Sequence, residues 1–269
     1  MASRLETSLS KKKKGAISID EGLTAIEIER GILMQVPSSL ERVFLNFEAL
    51  SVAKVREQLR SGDIFVDVGA NFGFYSLIAS QIVGAAGHVY SFEPSPSTLE
   101  LLRLNTHAYG NILVIDKAVS DRSGHLPFFH TPDYVNSGTV ANPPFQAADE
   151  IVKINVKAIR LDDFFPSDFE INFLKVDIQG DDLRAINGAK SLIERSPGLK
   201  ILVEWAPTWM ENAGYKIDDL PTALQDLGFN KLSVVDDYLQ RLYGVLQFVE
   251  IFEKDPSGKR FCNLLAEKH

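Results

Sequence analysis

The chain has 269 residues, 45% apolar and 24% charged, which is enough apolar material for a substantial core and argues against disorder of the whole length. Its formal net charge is −8, from 36 acidic against 28 basic side chains, so its field gives no general attraction for nucleic acid and suits a small-molecule partner better. Cys262 is the only cysteine, which excludes an intrachain disulfide and a cysteine-built zinc site.

At the start, Lys11 to Lys14 are followed by Gly-Ala-Ile-Ser-Ile-Asp rather than a continuous apolar segment, so a secretory signal is not expected. No stretch approaches the roughly 18 to 20 uncharged apolar residues that cross a bilayer. The expectation is a cytoplasmic chain without a membrane span, its lysine run a solvated tail. From Ala16 to Val36 partial alternation predicts a strand pair, and Ser38 or Ser39 is placed to cap a helix through Leu40, Val43, Phe44 and Phe47. Residues 1–62 therefore read as an extension that packs on, or covers the cleft of, a domain spanning 63–269.

That domain opens on Ile64-Phe-Val-Asp-Val68, a β-branched run ending in a glycine loop, as a buried parallel strand does. Strand-like segments at about 88–92, 112–116, 171–176 and 199–204 then alternate with helical stretches near 74–83, 96–108, 182–195 and 208–227. The alternation predicts an α/β, Rossmann-like sheet, mostly parallel, with helices on both faces. An insertion at about 121–160, rich in Pro, Gly, Asn and aromatics, reads as a substrate-facing element. Leu232 to Val235 and Gln247 to Phe252 read as two C-terminal strands pairing antiparallel, because their short connection has no room for a long helix.

The central feature is Asp67-Val-Gly-Ala-Asn-Phe-Gly73, where a strand turns through glycine into a helix beginning at Phe74-Tyr-Ser76. Gly69 permits a tight turn, Gly73 a close backbone approach, and the N–H groups opening the helix favour an electron-rich ligand. A dinucleotide loop would read G-x-G-x-x-G; here the spacing is G-x-N-x-G, with Asn71 inside it. Asp67 would repel a pyrophosphate but suits a ligand with an amino group or a sulfonium. The next strand ends in Glu93-Pro94, 26 residues after Asp67, near the spacing at which α/β nucleotide folds place a ribose-binding carboxylate. The third strand ends at Asp116, followed by Lys117-Ala118; Asp116 is either an acceptor for an adenine amino group or a turn residue. The fourth and fifth strands end at Asp177 and Glu204, whose carboxyl ends converge on the same crevice.

Taken together, Asp67 to Ser76, Phe92-Glu-Pro-Ser-Pro96, Asn105, Ala118-Val-Ser120, Ser137-Gly138, Leu161-Asp162 and Lys175-Val-Asp-Ile-Gln-Gly180 resemble the FkbM-type methyltransferases. These S-adenosylmethionine-dependent enzymes largely methylate hydroxyl groups of sugars and secondary metabolites. The resemblance runs from about Asp63 to Trp205. It implies a class I methyltransferase sheet, with Asp67, Gly69, Asn71, Gly73, Phe74 and Ser76 around the methionine part of the cofactor and Glu93 on its ribose. Pro94, Asp116, Ala118 and Asp177 complete the expected cofactor set. Where the family commonly carries Lys-Ile-Asp-Val-Glu-Gly, this chain has Gln179, followed by Asp181-Asp182. A carboxylate role at 179 is thus not inherited, and Asp181 or Asp182 is the candidate to compensate.

Methyl transfer to oxygen needs an acceptor held in line with the methyl carbon and a base for the hydroxyl proton. Asp177 is the first candidate, with Glu204 and His130 behind it. No metal is expected, although Asp177 and Glu204 offer oxygen ligands that would suit magnesium. Two other readings remain at this point: a nicotinamide-dependent oxidoreductase on a similar sheet, and a binding protein that keeps the fold without the chemistry.

Overall fold

A computed structural model describes residues 22–130, 152–255, 257 and 260–268. It opens with an antiparallel ribbon, β1 (Leu23–Glu29) and β2 (Ile32–Pro37), whose alternating residues Ile32, Met34 and Val36 are buried. The helix expected from Ser38 or Ser39 is only a 3-10 turn over Ser38–Val43, and α1 (Ala49–Gln58) begins later. The reason is local. The Ser38 hydroxyl donates to the Gly22 carbonyl and meets Thr24 Oγ1, so it caps nothing, while Asn46 and Glu48 take positive φ angles of 62° and 46° that interrupt helical geometry. The N-terminus of α1 is capped instead by Asp237, far away in sequence, which accepts the Leu50 and Ser51 N–H groups at 2.8 and 3.0 Å.

The chain continues through β3 (Ile64–Val68), α2 (Phe74–Val83), β4 (His88–Phe92), α3 (Pro96–Thr106) and β5 (Ile112–Ile115). Three strands follow, β6 (Ala118–Val119), β7 (Gly124–His130) and β8 (Val152–Ile159), and build a separate sheet in the order β6-β8-β7. The predicted insertion therefore carries strands at both of its ends; residues 131–151 lie outside the described set. Next come α4 (Leu161–Phe164), β9 (Phe173–Val176), α5 (Asp182–Asn187), α6 (Lys190–Glu194), β10 (Lys200–Trp205), α7 (Pro207–Asn212) and α8 (Asp219–Asp226). The helices expected at 182–195 and 208–227 are thus each broken into two. The chain ends with β11 (Lys231–Asp236), β12 (Arg241–Tyr243), α9 (Val245–Glu253) and β13 (Cys262–Glu267).

The main sheet has the order β12-β11-β13-β10-β9-β3-β4-β5. Strands β10, β9, β3, β4 and β5 are mutually parallel, and β13 runs antiparallel between β10 and β11. The mostly parallel class I sheet with an antiparallel C-terminal strand is as expected, but that strand is β13. Gln247 to Phe252 is helical: Val245, Phe248, Val249 and Phe252 recur at spacings of three and four, and Phe248 packs on Trp205 with ring centroids 4.5 Å apart.

Strand alternation decides where the chemistry sits. Val66, Val68, Leu174, Val176, Ile201 and Val203 face one core. Phe65, Phe173 and Leu202 face the other, where Phe65 and Phe173 stack at 5.4 Å and the ribbon, α1 and α2 cover them. Period-two geometry puts Asp67, Lys175 and Glu204 on this second face, at the carboxyl ends of their strands. The 22–62 segment shares that core, each fully buried aromatic or aliphatic side chain contributing roughly 1.5–3 kcal/mol.

Candidate active site

The carboxyl ends of β3, β4, β9 and β10 frame a cavity of about 390 Å³. The loop after β3 is drawn tightly over the end of β9. Gly69 has φ 82°, and a Cβ there would lie 1.9 Å from the Asp177 carbonyl oxygen, so no other residue fits. Asp67 is almost fully buried. Its Oδ2 accepts the Ser76 hydroxyl at 2.6 Å, and Ser76 in turn meets Ser91 Oγ at 2.7 Å. Among the described residues nothing bonds Asp67 Oδ1, although that atom is buried. Burial raises the Asp67 pKa, against the lowering effect of Lys175.

Glu93 closes the adjacent side. Its Oε2 accepts the Asn71 N–H at 2.9 Å and its Oε1 the Ser95 N–H at 2.8 Å, which fixes the carboxylate while leaving each oxygen a free lone pair. Burial raises its pKa from 4.5 to about 7 in spite of the two backbone donors. Asn71, Phe74, Pro94 and Ala118 also line the cavity. Three residues of the expected cofactor set do not. Gly73, at φ 96°, starts α2 and is pressed against α3, where a Cβ would meet Leu102 Cδ1 at 2.9 Å. Ser76 lies beneath Asp67 and holds it. Asp116 is exposed and turned away, whereas its neighbours Lys117 and Val119 line the wall. His130 ends β7, and its side chain lies outside the described residues.

Opposite Glu93 is a layer of carboxylates around one ammonium. Lys175, 3% exposed, donates to Asp177 Oδ2 at 3.0 Å and stands over the Tyr75 ring, 4.8 Å from its centroid. Burial alone would push its pKa down, but Asp177, Asp67 and Glu48 together raise it, so it stays charged. Gln179, at φ 60°, spans two acids: its Nε2 donates to Asp177 Oδ1 at 3.1 Å and approaches the Glu204 oxygens at 3.4 and 3.5 Å. Burial, then the charges of Asp177 and Asp182, raise the Glu204 pKa well above its ordinary value. Asp181 and Asp182 do not line the cavity. Asp182 accepts the Ile178 and Gly180 N–H groups, both at 2.9 Å, and so shapes the turn, while Asp181 pairs with Arg184. The amide of Gln179, rather than a neighbouring acid, is what stands in the place of the family's carboxylate. Gln179→Glu is expected to set a third carboxylate against Asp177 and Glu204 and to cost about 1–2 kcal/mol near pH 8, a few degrees in Tm. Because burial and its acidic neighbours favour the protonated form of Glu204, the loss should shrink as pH falls, which thermal melts at two pH values check.

The sequence did not point to Glu48 as part of the site, and although Tyr75 lies within the Asp67-to-Ser76 motif, its pairing with Glu48 left no sequence signal. The Tyr75 hydroxyl donates to Glu48 Oε2, and Asn263 Nδ2 donates to the same oxygen at 3.2 Å. Phe44 and Phe47 join Phe72 and Phe74 in an aromatic wall, with ring centroids 5.1 to 6.0 Å apart. Their apolar spacing was visible in the sequence; their destination was not.

This chemistry fits one class of cofactor. Asp67, Asp177, Glu204 and Glu48 outnumber Lys175, and Asp67 Oδ1 is an acceptor awaiting a donor, so the site calls for a ligand that brings positive charge. A pyrophosphate would meet repulsion here. S-adenosylmethionine offers an ammonium, a sulfonium and a ribose diol. The cavity is also within the usual range for such ligands, roughly 300–1,000 Å³.

Comparison with known proteins gives the family of the chain. The sequence model of the Methyltransferase FkbM domain matches residues 67–231, more than half of the chain. A protein-L-isoaspartate O-methyltransferase of Ignicoccus hospitalis is 35% identical over 72 residues, covering 26% of this chain and 33% of that protein. The match thus spans a third of that relative's length. Among solved structures, a SAM-dependent O-methyltransferase from Thermotoga maritima superposes with a TM-score of 0.48 at 12% identity, over 87% of this chain and 72% of that one. Aeropyrum pernix fibrillarin, solved with natively bound S-adenosyl-L-methionine, gives 0.45 at 14% identity, over 81% and 74%. No helix among the described residues is long and apolar enough to cross a membrane. On the family match over residues 67–231, the chain belongs to the FkbM methyltransferases, enzymes that take their methyl group from S-adenosylmethionine.

Proposed function

We propose that the chain methylates a hydroxyl oxygen of a small molecule, a sugar or secondary metabolite, with Asp177 as the proton acceptor and Glu204 coupled to it. The observation that carries this reading is the Gln179-bridged pair of acids at the ends of β9 and β10, open to the same cavity as Asp67 and Glu93. When bound, S-adenosylmethionine supplies an electrophilic methyl group on a sulfonium. Asp67 Oδ1 accepts from the ammonium, and Glu93 accepts both ribose hydroxyls. The aromatic wall of Phe44, Phe47, Phe72 and Phe74 excludes water. Asp177 would take the acceptor's hydroxyl proton as the C–O bond forms and the methyl–sulfur bond breaks, S-adenosylhomocysteine being the leaving group, and Lys175 and Gln179 hold its two oxygens in place. His130, at the end of β7, is the remaining candidate for the same proton.

The cofactor side of this reading has a pH signature. Glu93 has a pKa near 7 without ligand, and only its ionised form accepts two hydroxyl hydrogen bonds, so binding must release its proton below that pH. Affinity for S-adenosylhomocysteine is expected to rise by up to about tenfold per pH unit as pH approaches 7 from below, then to level off. Calorimetry in buffers of different ionisation enthalpy measures both the slope and the proton released. An affinity that does not change between about pH 5.5 and 8.5 would remove Glu93 from the ribose.

A further inference from the structure

A second chamber of about 630 Å³ lies between the end of β11, the end of α9 and the residues that precede α1. It adjoins the cofactor cavity, and Phe47, Glu48, Arg260 and Phe261 line both, so these four form the neck. Glu48 lies outside the span matched by the family, on the N-terminal extension. Its backbone is held in the left-handed region at φ 46°, a conformation that costs a non-glycine residue free energy and persists only when its surroundings impose it. Here the surroundings are Tyr75 and Asn263, both of which donate to Oε2, leaving Oε1 without a hydrogen bond from the described residues. Glu48 is therefore a fixed carboxylate with one free oxygen at the junction of the two spaces, next to the Lys175–Asp177 pair.

We propose that Glu48 positions the methyl acceptor: its free oxygen receives a hydrogen bond from a second donor on the acceptor, next to the hydroxyl that Asp177 deprotonates, and the chamber holds the rest of the molecule. The inference rests on the methyltransferase reading above. Two fixed carboxylates, Glu48 at the neck and Asp177 in the adjoining cavity, select a compound with two neighbouring donors, a vicinal diol or an amino alcohol, over a simple alcohol. The wider chamber selects against anions. Its wall carries Glu48, Asp236, Asp237 and Asp255 against Lys254 and Arg260, and the last three acids are already engaged with the protein's own hydroxyls and N–H groups. A carboxylate or phosphate would face that excess of negative charge, while Phe47 and Phe261 offer apolar contact to a ring or chain.

Ligand-observed NMR on protein saturated with S-adenosylhomocysteine tests this with cis-1,2-cyclohexanediol, 2-aminocyclohexanol, cyclohexanol and cyclohexanecarboxylate as probes. The diol and the amino alcohol are expected to bind roughly tenfold or more tightly than cyclohexanol, as a hydrogen bond to a charged group would give, and the carboxylate more weakly than cyclohexanol. Glu48→Gln should reduce the diol to the level of cyclohexanol with S-adenosylhomocysteine affinity unchanged. Glu48→Gly, which relieves the left-handed backbone and so guards against misfolding, should do the same. An unaltered preference for the diol in both variants would overturn the proposal, and so would loss of S-adenosylhomocysteine binding, which would move Glu48 to the cofactor side. If the unsubstituted protein fails to bind S-adenosylhomocysteine at all, the underlying methyltransferase reading fails first.

Discussion

Replacing Glu93 with alanine is expected to weaken S-adenosylhomocysteine binding by about a hundredfold to ten-thousandfold, enough to take it out of the range of ordinary calorimetry. Two hydrogen bonds from ribose hydroxyls to one carboxylate are worth roughly 1.5–3 kcal/mol each, or about 3–6 kcal/mol together. The substitution also strands the Asn71 and Ser95 N–H groups that Glu93 now accepts, so the loop after β3 loses its anchor to the end of β4. Glu93→Gln is expected to behave like the alanine variant. Its amide still offers one carbonyl oxygen but points an NH₂ group at one of those backbone donors, so the geometry predicts a loss close to that of alanine. Circular dichroism confirms that each variant is folded before its affinity is compared. Unchanged affinity in Glu93→Ala would end the ribose assignment.

The second large effect concerns turnover. Asp177→Asn is expected to retain cofactor binding and to lose about a hundredfold to ten-thousandfold in kcat near neutral pH, as removal of a general base does. The amide is isosteric, and its oxygen can still accept from Lys175, so the architecture of the cavity should survive. What it cannot do is take a proton. Glu204 is the control: burial and its acidic neighbours raise its pKa, so Glu204→Gln should shift the acid limb of the pH–rate profile more than it lowers the plateau. An Asp177→Asn enzyme with full activity would transfer the role to Glu204 or His130.

The parallel half of the fold was legible because each strand there is a short apolar run ending in a turn, and its first two crossovers, α2 and α3, are helices of ordinary length. Ile64–Val68, His88–Phe92 and Phe74–Val83 stand where the pattern put them. The C-terminal quarter was not legible in the same way. Gln247 to Phe252 is apolar enough to read as either element, and its helical spacing emerges only when Val245 is counted with Phe248, Val249 and Phe252. The start of α1 escaped detection because its cap, Asp237, comes from the residue after β11, far away in sequence, and leaves no local signal.

The site divides along the same line. Asp67, Gly69, Asn71 and Glu93 were visible because a strand, a turn and a distant acid fall at fixed offsets in one stretch of chain. Gly73 and Ser76 belong to the same motif, yet the fold uses them to pack α2 and to hold Asp67 rather than to face the cavity. Glu48, Tyr75 and Asn263 meet only in three dimensions, from three separate parts of the sequence. Gln179 was noticed as a departure, but its effect, an amide bridging two acids, depends on the register of β9 and β10 and on a left-handed backbone that glutamine seldom adopts.

The most direct measurement is a crystal structure of the chain with S-adenosylhomocysteine bound. The expected result is a ribose whose two hydroxyls donate to Glu93, an ammonium on Asp67, and a sulfur directed toward the Asp177–Glu204 side of the cavity and the neck at Glu48. A ribose away from Glu93, or a sulfur turned from those acids, would contradict the assignment of this cavity as the place of methyl transfer.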